Sequence, residues 1–175
     1  GPERIAVATV AREALHGVPG GGHGLTEVAA TAARTIAAEP ATIRPDWIDA
    51  NVAAGLDLLS YVEIVGVVAR LVAVDTFHRG IGVPERALPD AQPGEPSREI
   101  VADAVITDAA VPMVGSGAIG SLTAVDAERA AQFDLHGALY LSPAEMAEMD
   151  INKDLHRTQM ELVAARTSRL NDCFY

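Results

Sequence analysis

The sequence predicts an all-α fold, a compact helical bundle formed by a single domain over residues 1–175. Hydrophobic residues make up 49% of the 175 residues, which is enough to bury one core. Alanine and valine supply much of that content and aromatic residues only 4%, a balance that favours close-packed helices over a sheet. Apolar residues also recur at helical spacing between residues that begin or stop helices.

Four helices are predicted in the first half of the chain. Pro40 stops the second of them, and Gly55 is a natural stop for the third. The glycine-rich stretch 17–24 follows the first helix. We interpret it as a flexible loop, because no strand precedes it and no Gly-Lys-Ser/Thr follows. The predicted helices cover residues 3–16, 25–38, 45–54 and 57–79.

The fourth of these helices is apolar on nearly every side, which predicts that it is buried all round at the centre of the core. Glu63 and Arg70 are seven residues apart and share one of its faces. They are either a charged pair beside a site or a structural ion pair, and the structural pair is favoured because buried charges usually need partners. Asp75 and Arg79, four residues apart, are predicted to form a surface pair of small value.

The second half of the chain is predicted to begin with a proline- and glycine-rich linker over residues 80–97. Ser97 can cap a short helix that ends at about residue 107. Ser142-Pro143-Ala144-Glu145 combines the cap residue, the proline and the carboxylate that are typical of a helix start. Further helices are predicted over residues 123–140, over residues 143–149 and from about residue 151 onward.

Charge and composition exclude several classes of function. The formal net charge is −11 and the basic residues are scattered, which argues against a nucleic-acid-binding surface. The apolar run 56–74 is interrupted by Asp57, Glu63 and Arg70, so no membrane partner is expected. One cysteine cannot form an internal disulfide or a cysteine-built zinc site, and neither a metal nor a cofactor is expected. A cytoplasmic location is expected.

The closing stretch, residues 156–175, is predicted to be a helix that leads to the single cysteine, Cys173. Met160-Glu161-Leu162-Val163 and Leu170-Asn171-Asp172-Cys173-Phe174-Tyr175 resemble the AhpD-like alkylhydroperoxidase/carboxymuconolactone decarboxylase superfamily. That family has a glutamate twelve residues before the first cysteine of a Cys-x-x-Cys motif, with a histidine a turn later. Glu161 and Cys173 match the glutamate and the first cysteine. The second cysteine would be residue 176, so the chain is expected to end before it.

The resemblance implies an AhpD-like bundle whose halves occur in reversed order. Residues 63–82 also look like the family's long helix downstream of the cysteine motif, and here they come first. The linker 80–97 would then join two half-modules. Such a bundle is either permuted or completed by a second subunit, and a homodimer is expected.

The resemblance also implies thiol chemistry, in which Cys173 is the nucleophile and Glu161 relays protons together with a histidine. His156 and His136 are the candidates for that histidine, although neither has the family's position, and a surface or capping role is favoured for both. A continuous helix would separate Glu161 from Cys173 by about 18 Å. Contact therefore requires the chain to turn back after Leu170, or another subunit to supply the partner.

Three functions from different classes follow. The first is a thiol redox protein, a peroxidase-type oxidoreductase that is incomplete as this chain alone and works with a thiol reductant. The second is a non-catalytic binding or oligomerisation module that keeps the fold. The third is a helical leader or carrier domain whose Cys173-Phe174-Tyr175 is modified by a partner enzyme.

Overall fold

The chain is helical in the computed structural model. The structure describes residues 1–94, 99–107, 109–171 and 173; for Ile119 it describes only the backbone. A two-residue antiparallel ladder pairs β1 (Asn152–Lys153) with β2 (Leu155–His156). The all-α prediction is confirmed, while the AhpD-like assignment stays a prediction. Within the described residues the α-helices are α1 (Pro2–Leu15), α2 (Glu27–Ala38), α3 (Pro45–Ala53), α4 (Leu58–Gly80), α5 (Asp126–Leu139) and α6 (Arg157–Leu170).

Contacts between residues divide the chain into two units. Unit 1 comprises Gly1–Arg129 and unit 2 comprises Ala130–Tyr175, so α5 begins in the first and continues into the second. Residues 81–94, within the predicted linker, form turn and irregular structure after the end of α4, and residues 95–97 lie outside the described part. The organisation as one domain with two half-modules stays a prediction.

The core of unit 1 is formed where α1, α2 and α4 pack against one another. Ala30, Ala32 and Ala33 of α2 are fully buried, and their small side chains let the neighbouring helices approach closely. Thr26 and Asp57 cap α2 and α4, because their side-chain oxygens accept the backbone NH groups of Ala29 and Ser60. The core cluster contains Val7, Val10, Ala11, Ala30, Ala32, Ala33, Ala37, Ile48, Leu56, Tyr61, Ile64 and Val68.

The C-terminal part of α4 corrects two predictions. Phe77 is 49% exposed, so the helix is not buried on all sides. The reason is length: α4 has 23 residues, whereas α1 has 14 and α2 has 12. Asp75 is buried and accepts two bonds from Arg12, at 2.8 and 2.9 Å, instead of forming a surface pair with Arg79. No described helix is both long and apolar enough to cross a membrane.

The described residues between 99 and 125 form turns, irregular structure and the 3₁₀ turn Ala118–Gly120. They include a second hydrophobic cluster, in which Leu122 and Val125 pack with Val62 of α4. Val105 and Met113 form an isolated antiparallel bridge. The predicted helix 97–107 is wrong over its described residues 99–107, where the backbone is committed to this bridge and to turns; its cap, Ser97, lies outside the described part.

The helix starts predicted in and around unit 2 also need correction. α5 begins at Asp126 rather than residue 123, because the Thr123 hydroxyl bonds the Gly120 carbonyl (2.6 Å) and the Val114 backbone instead of capping a helix. Ser142 and Glu145 do exchange the bonds of a helix start, but only a 3₁₀ turn, Glu145–Ala147, follows. The final helix begins at Arg157 and not near residue 151, because β1 and β2 occupy the intervening residues.

Candidate functional site

His156 is the N-cap of α6. The backbone NH of Thr158 donates to His156 Nδ1 at 3.3 Å, and the Gln159 side chain accepts the His156 backbone NH at 2.9 Å. These reciprocal bonds form a capping box, which satisfies NH groups that have no partner within the helix. The imidazole of His156 is thereby used in the structure of α6.

Glu161 lies one turn into α6, and two side chains bind its carboxylate. The Tyr140 hydroxyl donates to it, and so does Arg157 Nε, at 2.6 Å from Oε1. Both bonds favour the ionised carboxylate, so they lower the pKa of Glu161, the tyrosine contributing most. Glu161 is therefore an anchored, negatively charged group on an otherwise exposed helix.

Arg157 and Tyr140 are themselves fixed by unit 2. Arg157 is buried, and its Nη1 donates to the carbonyl oxygens of Glu145, Met146 and Glu148 at 3.4, 3.2 and 3.3 Å. Burial raises the pKa of Tyr140, and the hydrogen bond to Glu161 adds to the rise, so its phenol keeps the proton that it donates.

The ring of His136 packs edge-on against that of Tyr140, with centroids 5.4 Å apart. Its Nδ1 lies 2.5 Å from the carbonyl oxygen of Leu141, to which it donates. His136, the second candidate histidine, therefore contacts the ring of Tyr140, whose hydroxyl binds Glu161.

Cys173 is exposed at the other end of α6. The helix ends at Leu170, and the backbone NH of Cys173 donates to the carbonyl oxygen of Ser168 at 2.9 Å, a bond typical of a helix C-terminus. Ser168 follows Glu161 by seven residues, about 10 Å along the helix axis. A helical carbonyl points toward the C-terminus of its helix, so the Cys173 amide that binds it lies farther along the axis than Ser168, and the axial separation from Glu161 is about 15 Å, little shorter than the 18 Å of a continuous helix.

The structure thus brings together a set of groups that differs from the predicted one. Glu161 meets Tyr140 and Arg157, while His156 and Cys173 lie at opposite ends of the 14-residue helix, about 21 Å apart along its axis. Arg157 was detectable from its i,i+4 spacing to Glu161. No sequence signal identified Tyr140, which reaches Glu161 through the turns and ladder between α5 and α6.

A second charged cluster lies in unit 1, around the fully buried Glu128 at the start of α5. Arg70 Nη2 donates to Glu128 Oε2 at 2.5 Å, and Arg4 donates to the other oxygen as well as to Glu63 at 3.3 Å. Glu63 and Arg70 are therefore not paired with each other, as predicted from their shared face, but joined through Glu128 and Arg4. Because the Glu128 carboxylate is enclosed by its partners, Glu63 and Arg70 belong to a structural ion cluster, which is the interpretation that the sequence favoured.

Gly66 makes room for the Glu128 carboxylate. A Cβ at this position would lie 2.1 Å from Glu128 Oε2. Arg70 Nη1 is also buried there, without a hydrogen-bond partner among the described residues.

Neither unit contains, in the part of the chain that the structure describes, a group of three or more His, Cys, Asp or Glu side chains able to hold a metal ion. Comparisons with protein-family models, with curated proteins and with solved structures find no match to this chain. Phe174 and Tyr175, which the carrier hypothesis invokes, lie outside the described residues.

Proposed function

We propose that the chain is a thiol redox protein of the alkylhydroperoxidase type, in which Cys173 reacts with a peroxide and Glu161 handles the proton. The observation that carries the proposal is the anchored carboxylate of Glu161, held ionised by Tyr140 and Arg157, on the same helix that ends beside an exposed thiol. An ionised carboxylate is the form that accepts a proton, and its lowered pKa makes it release that proton readily to the departing alkoxide. An exposed thiol is accessible to a soluble oxidant.

The proposed step begins with transfer of the Cys173 proton to Glu161. The thiolate attacks the terminal oxygen of a hydroperoxide and the O–O bond breaks, which leaves a sulfenic acid on Cys173 and an alkoxide that takes up the proton as an alcohol. A second thiol must then form a disulfide with loss of water, and a dithiol reductant must restore both sulfurs. The axial gap of about 15 Å within one chain is too long for direct proton transfer, so we propose that the glutamate of a second copy approaches the thiol.

Single-turnover oxidation tests this proposal. Wild-type protein treated with cumene hydroperoxide and dimedone is expected to carry one dimedone adduct at Cys173, and Cys173→Ser none. Glu161→Gln is expected to slow adduct formation about 100-fold, the lower range for loss of a proton-transfer group. Glu148→Gln, an exposed change in the same unit, is the matched control and should leave the rate unchanged.

Multiple-turnover kinetics test whether the site is incomplete. With dithiothreitol as reductant, the isolated chain is expected to consume hydroperoxide only slowly, because its sequence has no second cysteine and the small dithiol must itself act as the resolving thiol. Robust turnover by this chain alone would contradict the requirement for a second protein thiol. Equal oxidation rates for wild type and Glu161→Gln would remove Glu161 from the mechanism.

A homodimer through α6 is the second proposal, and exposed apolar side chains of this helix favour it. Leu162 is 72% exposed, Val163 60% and Leu170 72%, an arrangement that water disfavours and a second helix would cover. Sedimentation velocity should detect a dimer that Leu162→Asp dissociates, whereas Val18→Asp, at a 52% exposed valine in a loop of unit 1, should not. A wild-type protein that stays monomeric at about 100 μM would contradict this proposal, because any association would then be worth less than about 5.5 kcal/mol. The thiol redox proposal also includes a thiol reductant as partner and a cytoplasmic location, because the cytoplasm keeps thiols reduced.

A further inference from the structure

An apolar cavity lies in unit 1, where its two hydrophobic clusters meet. Val65 of α4 and Val111 of the irregular segment pack against both clusters, and both line the cavity. Tyr61 and Val62 of α4 form the adjoining surface. The cavity therefore lies where the side chains of the two clusters do not fill the space between them.

The wall opposite α4 is held in place on both sides. Ala110 and Val111 line the cavity, and they lie in the sequence between Val105 and Met113, which pair in the isolated bridge. Farther along, the Thr123 hydroxyl accepts the Val114 backbone NH at 2.7 Å and donates to the Gly120 carbonyl oxygen at 2.6 Å. Because these bonds fix the wall independently of any occupant, the cavity is preformed, as small-molecule sites usually are.

Size and lining define what would fit. The volume is about 210 Å³. An engineered protein cavity of about 150 Å³ lined by aliphatic and aromatic side chains stays dry and binds benzene. The space is thus large enough for a single aromatic ring with a small substituent.

The polar groups in the lining are few. Ser121 contributes a hydroxyl, which donates to the Ala118 carbonyl oxygen at 2.7 Å and keeps lone pairs for accepting a bond. Tyr61 contributes a phenol, and burial raises its pKa, so it stays neutral at physiological pH. A charged ligand would find no counter-ion among these lining residues, and the small polar share of the lining suits at most one neutral polar group on a ligand.

We infer that this cavity is a binding site for a small, neutral and mainly apolar molecule that carries one hydroxyl or carbonyl group, the size of a monosubstituted benzene. The site is separate from the thiol chemistry proposed for Cys173, and neither depends on the other.

Methyl NMR of the wild-type protein tests the site with phenol, benzene and glycerol as probes. Phenol and benzene are expected to shift the methyl resonances of Val62, Val65 and Val111 in a saturable manner, with phenol the tighter by about tenfold, the gain from one net hydrogen bond. Val7 and Val10, in the core between α1 and its neighbours, are internal controls that should not move. Glycerol, which is polar throughout, should shift none of these resonances.

A filled-cavity variant provides the second arm. Ala110→Leu is expected to weaken phenol binding at least tenfold while the protein stays folded, and Ala147→Leu, at an exposed alanine of unit 2, should leave it unchanged. Absence of saturable shifts in the wild type would show a packing hollow only and would overturn the inference, as would unchanged affinity in folded Ala110→Leu. Should Ala110→Leu not fold, the wild-type titration decides by itself.

Discussion

Gly66 is the residue on which the charged cluster of unit 1 depends. Any side chain at this position would enter the space of the Glu128 carboxylate, whose two oxygens are bound by Arg4 and Arg70. Removing one partner of a buried ion pair is costly because the remaining charge is left without compensation. The absence of a side chain at residue 66 is thus what allows Glu128 to bind between α1 and α4.

Gly66→Ala is therefore expected to destabilise the protein by about 3 kcal/mol, even though alanine ordinarily stabilises a helix interior relative to glycine. The measurement is urea unfolding followed by circular dichroism. Gly80→Ala is the matched control on the same helix, because nothing lies within 4 Å of its Cβ position. Its stability should equal or exceed that of the wild type. Equal effects of the two substitutions would contradict the steric role of Gly66.

Glu145 has a strongly perturbed ionisation that a titration can check. The Ser142 backbone NH and hydroxyl bind its carboxylate, with Lys153 nearby, and they lower its pKa from 4.5 to about 2. Because the folded pKa is depressed, the stabilisation is present in full above pH 4.5 and is lost as pH falls toward 2. Carbon-detected NMR of the carboxyl group should show a midpoint near 2. Ser142→Ala keeps the backbone NH and should raise that midpoint only part of the way, whereas Ser121→Ala should not move it.

Helices were predictable from sequence where capping and stop residues are local. Thr26, Pro45, Gly55 and Asp57 set the ends of α2, α3 and α4, and the observed bounds lie within two residues of the predicted ones. In each case a side chain within one turn satisfies or removes a backbone NH, or a glycine at positive φ stops the helix. Tertiary packing was not needed to identify them.

Prediction failed where distant contacts decided the local structure. Residues 99–107 have a helix-like pattern, but Val105 pairs with Met113. The start of α6 was displaced because Asp154, at φ 66°, allows the chain to reverse between β1 and β2. Among the site residues, Glu161 and Cys173 came from the resemblance, whereas Tyr140 is brought to Glu161 only by that reversal.

Substitutions of His156, the N-cap of α6, can distinguish a structural role of this residue from a chemical one. His156→Ala removes the acceptor for the Thr158 backbone NH and should cost about 1 kcal/mol. His156→Asn replaces it with a favoured cap residue and should restore stability, measured by thermal unfolding. If His156 only caps the helix, both variants form the dimedone adduct at Cys173 at the wild-type rate. A slow reaction in stable His156→Asn would instead assign the imidazole to proton transfer.

Burial is distributed unequally over the whole molecule. Nearly all described buried apolar side chains belong to unit 1, whereas in unit 2 the buried side chains among the described residues are those of Leu141 and Arg157. Apolar burial supplies most of the stabilisation in a small protein. Local stability should therefore differ between the two units, and segments with few buried contacts should open most readily.

Hydrogen exchange can compare α1 with α6, which have 14 residues each but differ in burial. The interior amides of α1 are expected to exchange about 1000-fold more slowly than those of α6 in dilute protein, because α1 opens only with the core. If α6 forms the proposed dimer, raising the protein concentration should slow its exchange while leaving α1 unchanged, since association stabilises only what it covers. Strong, concentration-independent protection of α6 would contradict both the local instability and the exposed apolar face from which the dimer is argued.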